Sequence, residues 1–255
     1  MADHILYTEG ISIQFGALKA VNNVSINIER GKFTTILGPN GAGKTTLFNL
    51  LSGLHKATAG KVFFDGTDIT GYTPQQRIHA GLGRSFQLTN VFPRLTVREN
   101  IRLAAQSAAG IGFKLFKDHA SYGAVNELTD KLLEQMLLKD KHYLLASDLT
   151  HGEQRKLELA MVLALKPKTL LLDEPTAGMS VEEVPAMIDI LRDIKATGTT
   201  IVLIEHKMNM VKALSDKLII MVNGEFLVEG DPEAVSANPE VMQVYLGGGA
   251  INVTA

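Results

Sequence analysis

Three short stretches of the chain are nearly continuous in apolar or β-branched residues: Thr34–Leu37, Thr169–Leu172 and Thr200–Ile204. Each stops where the sequence turns polar. Runs of this length without polar alternation are expected of strands buried on both faces of a parallel sheet. Leu47, Leu50, Leu51 and Leu54 recur at i, i+3, i+4 and i+7, which predicts a helix directly after the first run. Strands interleaved with helices give an α/β fold, whose ligands gather beyond the carboxyl ends of the strands. The first 30 residues and the Lys61–Asp65 region read as strands of an additional antiparallel β layer. Near the end, Leu218–Val222 and Glu225–Val228 flank Asn223-Gly224, the pair best suited to the positive φ angles of a type I′ hairpin turn.

Residues 88–148 differ in character. Leu128, Leu132, Met136 and Leu137 fall on one helical face, and a Gly/Ala/Ser-rich connection runs around Gln106 to Gly112. The expectation is one domain over 1–255. Residues 1–87 and 149–255 form its core with the β layer, and an α-helical subdomain at 88–148 is inserted into it. With 255 residues, of which 45% are hydrophobic and 20% charged, the chain has the balance of an ordinary globular domain. Its 25 basic and 27 acidic residues exclude a broad electrostatic footprint for nucleic acid. The lack of cysteine excludes disulfides, thiolate metal sites and thiol nucleophiles. No apolar run approaches the roughly 18 residues of a spanning helix, and the first residues lack the order of a secretory signal, so an intracellular protein is expected.

The strongest chemical signal follows the first buried run. Gly38-Pro39-Asn40-Gly41-Ala42-Gly43-Lys44-Thr45-Thr46 fits G-x-x-x-x-G-K-[ST] between a strand and a helix. Glycines let the backbone close around phosphate oxygens with its N–H groups inward, and the helix adds the positive end of its dipole. Lys44 is expected to reach the β- and γ-phosphates, and the Thr45 hydroxyl to bind Mg²⁺.

The second buried run ends in two acids, Asp173 and Glu174. Burial of the strand fixes Asp173, which suits a contact to Mg²⁺, direct or through water. Glu174, one residue on, is placed to polarise a water attacking the γ-phosphate. His206 follows the third run, where a phosphate sensor would stand. Gln87 follows Arg84-Ser85-Phe86, and its amide there could touch both Mg²⁺ and a water. Thr150-x-x-Glu153 is a capping box, expected to satisfy the first amides of a helix running on to Ala164.

These features stand in the order of the ABC ATPases, and the resemblance covers nearly the whole chain. It implies a P-loop (RecA-like) ATPase core. Leu149-Thr150-His151-Gly152-Glu153 resembles the family's signature motif, usually LSGGQ, with Thr for Ser, His for the first Gly and Glu for Gln. In the family this motif caps the γ-phosphate bound by another subunit. The resemblance therefore implies nucleotide contacts from Thr150, Gly152 and Glu153, with the helix's amino end free to meet an anion arriving from outside the chain. It also implies an adenine-stacking role for Phe15, whose other reading is a core residue. Gln87 matches the Q-loop, Asp173 the Walker B aspartate, Glu174 the catalytic base and His206 the switch histidine. Ala177-Gly178-Met179-Ser180 occupies the D-loop and lacks the Asp of many members.

Gly178-Met179-Ser180, Ile204-Glu205-His206, the connection around 106–125 and the ending Val244-Tyr245-Leu246-Gly247 resemble, more narrowly, the larger ATPase subunit of branched-chain amino-acid importers. That resemblance implies hydrolysis of ATP with Mg²⁺ at the cytoplasmic face of the inner membrane. The implied partners are a second ATPase subunit (a paralogue, or an identical copy), transmembrane permease subunits and, indirectly, a periplasmic binding protein. Two other functions compete: the homodimeric ATPase of a lipopolysaccharide-type exporter, and a soluble ABC protein outside transport. The second would carry a long coiled coil or two ATPase units, and neither is present in the sequence.

Overall fold

The computed structural model describes residues 3–85, 91–110, 119–206 and 208–246. Its elements follow the chain as β1 (His4–Phe15), β2 (Leu18–Val24), β3 (Asn27–Glu29), β4 (Phe33–Leu37), α1 (Lys44–Leu51), β5 (Ala59–Phe64), β6 (Thr67–Asp68), α2 (Pro74–Ala80) and β7 (Leu82–Arg84). Then come α3 (Val97–Ala108), α4 (His119–Gln135), α5 (His151–Ala164), β8 (Thr169–Asp173), α6 (Val184–Ala196), β9 (Thr200–Ile204) and α7 (Met208–Leu214). The last are β10 (Lys217–Val222), β11 (Glu225–Gly230), α8 (Pro232–Ser236) and α9 (Pro239–Leu246).

One sheet has the order β11-β10-β4-β9-β8-β7, parallel except for the β10–β11 hairpin. The other is antiparallel, with the order β2-β1-β5-β6 and β3 also paired to β1. The three apolar runs are β4, β8 and β9, and every residue of each is buried. Alternation at period two divides them between two cores. Leu170, Leu172, Ile201 and Leu203 face a cluster with α3, α4, α5 and α6, while Leu171, Val202 and Ile204 face α1 and the antiparallel sheet. The helices between 97 and 135 share the first cluster: Val97, Ile101, Leu132 and Met136 belong to it with Leu157 and Ala160 of α5.

Two helical residues depart from expectation. Helix α1 ends at Leu51, with Ser52 as its cap and Gly53 in the left-handed region at φ 80°, so Leu54 lies beyond the helix and is exposed. Leu137 has φ 57° after the end of α4 and is 64% exposed, and Val125 and Leu133 help fill the face it was expected to share. In both cases a positive φ, at Gly53 before Leu54 and at Leu137 itself, turns the chain off the helix before the apolar periodicity is complete.

The hairpin forms as expected, with Asn223 at φ 50° and Gly224 at φ 81°. Its turn braces the β4–α1 loop: Gly224 N–H donates to Ala42 O at 3.1 Å, and Asn22 N–H donates to Gly224 O at 2.8 Å.

The far end of α1 is held by a buried cation. Arg77 of α2 donates through Nη1 to Leu50 O and Leu51 O, both at 2.7 Å, and through Nη2 to Thr70 O at 3.1 Å. Burial lowers its pKa to about 10, which leaves it charged at neutral pH. A helix's last carbonyls lack intrahelical donors and carry the negative end of the dipole, so the guanidinium meets both needs at once. Arg77→Met keeps the aliphatic bulk but removes the guanidinium donors from Leu51 O and Thr70 O, and leaves Leu50 O with only the Gly53 N–H at 3.2 Å among the described residues. It should cost about 2–4 kcal/mol in urea unfolding. A loss below about 0.5 kcal/mol would mean that water replaces the guanidinium.

Candidate nucleotide-hydrolysis site

Strand register brings the site together. Ile36 of β4 pairs with Ile204 of β9, and Ile204 pairs with Asp173 of β8. The segments that leave these strands therefore start from the same rim. They carry Gly38–Thr46, Asp173-Glu174 and Glu205-His206. The loop over Gly38–Gly43 can approach neighbouring backbone only without side chains. A Cβ on Gly38 would stand 2.2 Å from Met221 O, and one on Gly43, at φ 89°, would stand 2.4 Å from Ala20 O. Lys44 opens α1 and folds back, donating through Nζ to Gly38 O at 2.7 Å and Pro39 O at 3.0 Å. Burial lowers its pKa, while Glu174 and Asp173 pull the other way. Thr45 and Asn40 lie on this loop and helix start with Pro39, Gly41, Ala42 and Thr46, and Thr45 is exposed.

Asp173 is 2% exposed, and neither carboxylate oxygen has a hydrogen-bond partner among the described residues. Arg84 Nη2 lies 3.9 Å from Oδ2, too far for a hydrogen bond but near enough to act as a countercharge. Burial raises the Asp173 pKa, and Arg84 opposes it. A buried carboxylate without hydrogen bonds costs stability unless something else coordinates it. A divalent cation fits that requirement, with the Thr45 hydroxyl on the adjacent helix start. Among the described residues no group of three or more His, Cys, Asp or Glu could hold a metal by itself.

Glu174 sits in the left-handed region at φ 48°, its N–H donating to Ile204 O at 2.9 Å. A non-glycine residue held there costs on the order of 1 kcal/mol or more, a strain that clusters at functional sites. Its Oε1 is 3.0 Å from His206 Nε2. Behind His206, buried Glu205 accepts from the His206 N–H at 2.9 Å and from the Thr176 hydroxyl. Phe15, at the end of β1, is 47% exposed and meets the His55 ring edge-on at 5.5 Å, so it is a surface aromatic and not a core residue. Gln87 and the connection at 111–118 lie outside the described residues.

Away from that rim, Thr150 caps α5 and the box closes in both directions: Glu153 N–H to Thr150 Oγ1 at 3.3 Å, and Thr150 N–H to Glu153 Oε2 at 3.0 Å. Glu153 also pairs with Lys141. The amino end of α5 is not open as expected. Gly152 is buried, with the Glu183 carboxylate lying against it.

The family model described as "ABC transporter" matches residues 21–177. The chain belongs to the ABC transporter family. A second model, "Branched-chain amino acid ATP-binding cassette transporter", matches residues 227–251. Within the family, the chain is 36% identical over 253 residues to the high-affinity branched-chain amino acid transport ATP-binding protein LivG of Salmonella typhimurium, covering 97% of this chain and 99% of that one. It is 34% identical over 253 residues to BraF of Pseudomonas aeruginosa, again covering 97% and 99%. Among solved structures, an ATP-binding cassette of an ABC transporter in its ADP conformation superposes with a TM-score of 0.80 at 31% identity, covering 96% of this chain and 99% of that one. This family member is thus an ATP-binding, ATP-hydrolysing cassette with the P-loop α/β fold. Among its described residues no helix is long and apolar enough to cross a membrane.

Reading the sequence left three participants without a role. Arg84 was named only as a step before Gln87, Glu205 only as part of a resemblance, and Glu183 drew no attention. Their partners are distant in sequence, so only the fold brings them into contact.

A carboxyl whose folded pKa is raised holds its proton more tightly in the folded chain. Its contribution favours folding in acid and is lost as pH rises through the folded pKa. Asp173→Asn should therefore raise the melting temperature of the nucleotide-free chain at neutral pH. It should also abolish the extra stabilisation that Mg²⁺ adds to ATP. Thermal melts with ATP, with and without Mg²⁺, check both. A variant that keeps the Mg²⁺ increment would remove Asp173 from the metal site.

Proposed function

We propose that this chain is the ATPase subunit of an importer of branched-chain or other small amino acids, working against a second ATPase subunit beneath membrane permeases at the cytoplasmic face. The observation that carries the hydrolytic half is the rim itself. Asp173, buried without a hydrogen-bond partner, stands one residue from a strained Glu174 that is 3.0 Å from His206. The transported class rests on the similarity to LivG and BraF and on the match of the C-terminal segment 227–251.

In this reading the 38–46 backbone and Lys44 bind the phosphates, and Phe15 offers an exposed ring to adenine. Mg²⁺, held by Thr45 and Asp173 with Gln87, neutralises charge on the β- and γ-phosphates. Glu174 takes a proton from the attacking water, whose oxygen bonds to the γ-phosphorus as the bond to the bridging oxygen breaks and ADP leaves. In the free chain Glu174 and His206 hold each other. A bound γ-phosphate offers His206 a competing acceptor and frees the carboxylate to orient water. In this reading the nucleotide of the second subunit meets the amino end of α5, formed by Thr150, Gly152 and Glu153, where Thr150 is exposed and the Glu183 carboxylate covers Gly152. We assign residues 88–148 as the helical subdomain, with the permeases docked on it beside Gln87.

Two substitutions test these assignments. Glu174→Gln keeps the side chain's shape but cannot accept the proton, so MgATP binding should persist while hydrolysis falls by a factor of roughly 10² to 10⁴. Near-normal turnover in the assembled transporter would remove Glu174 from its role. Lys44→Ala should weaken ATP binding with little change in melting temperature, because among the described residues the hydrogen bonds of Lys44 go to its own loop. Unaltered affinity in a calorimetric titration would place the nucleotide elsewhere.

A further inference from the structure

We infer that Glu183 is a positioning residue that fixes the amino end of α5 to the segment leaving Glu174. The inference rests on the proposed contact between α5 and the second subunit's nucleotide. Glu183 Oε2 accepts from the Ser180 N–H at 3.0 Å. The same carboxylate lies so close to Gly152 that a Cβ there would be 2.6 Å from Oε1 and 2.8 Å from Oε2. A side chain at position 152 would therefore push the Glu183 carboxylate aside, away from its place beside the Ser180 N–H. The positive end of the α5 dipole makes the same place favourable for an anion.

The segment between Glu174 and Glu183 is itself tied down. Ala177 N–H donates to Glu174 O at 2.9 Å, Met179 N–H to Thr176 O at 3.2 Å, and Glu183 N–H to Ser180 O at 3.1 Å. Met179 is buried in the same cluster as Leu149, the residue before the α5 cap. Thr176 in turn donates to Glu205, which accepts from the His206 N–H. Hydrogen bonds thus run from His206 at the chain's own phosphate rim through this segment to Glu183, whose carboxylate packs against Gly152. Glu183 is the member that crosses from the loop to α5. Through it, the placement of α5 against a second subunit depends on the segment that carries Glu174.

The test is a double-mutant cycle in the transporter assembled in its host and purified through a tag on this chain. Glu183→Ala should lower kcat for ATP about tenfold, while nucleotide affinity and melting temperature of the lone chain stay as in wild type. Glu183→Gln keeps length and an acceptor for the Ser180 N–H, so it should restore kcat to within about twofold. Glu183→Asp keeps the charge but is one methylene short, and should share the loss of Glu183→Ala. Gly152→Ala should lower kcat about tenfold in the wild-type background, and less than twofold further when added to Glu183→Ala. Losses that multiply, normal turnover of Glu183→Ala, or equal loss in Glu183→Gln and Glu183→Ala would each overturn the inference. If Glu183→Ala does not fold, the Gln–Asp contrast carries the same decision. Failure of the underlying reading looks different, because Gly152→Ala alone would then leave kcat unchanged.

Discussion

The site depends on a buried carboxylate that the protein does not satisfy. Asp173 ends a wholly buried strand, so its position is set by the packing of Leu170, Leu171 and Leu172 on both faces of the sheet. It has no freedom to turn toward water, and its oxygens find no donor among the described residues. Arg84 stands close enough to offset the charge and too far to hydrogen-bond it. A protein that kept this arrangement for stability alone would have a neutral residue there. The arrangement makes sense when a cation completes it.

The other groups at the rim are held on the same terms. Glu174 is kept in a strained backbone conformation, and Lys44 is partly desolvated on its own loop. Gly38 and Gly43 sit where a side chain would strike Met221 or Ala20. Each costs stability locally, and the two apolar clusters on either face of the sheet offset that cost. Arg77 belongs to this support: it satisfies the far end of α1 while the near end presents Lys44 and Thr45.

Sequence reading recovered what is encoded locally. The phosphate loop, the three buried strands, the hairpin turn and the capping box each follow from adjacent residues, and all stand where expected. It erred at Leu54 and Leu137, where apolar periodicity ran past a positive-φ turn. It also left the amino end of α5 open, because the residue that covers Gly152 is about thirty positions away. Glu183, like Arg84 and Glu205, reads as an ordinary charged residue until the fold supplies its partner. Phe15 marks the boundary between the two cases: its chemistry was legible, but its exposure, which favours a ligand-stacking role over a core one, was not.

Function here turns on where phosphate and metal lie relative to Asp173. The direct measurement is a crystal structure of the Glu174→Gln chain with MgATP, the substitution serving to keep the nucleotide intact. The account predicts phosphates on the 38–46 backbone, Lys44 released from Gly38 and Pro39, and Mg²⁺ on the Thr45 side chain beside Asp173. A nucleotide bound elsewhere, or bound in the loop with the Asp173 carboxylate still unmet by metal or metal-bound water, would contradict it.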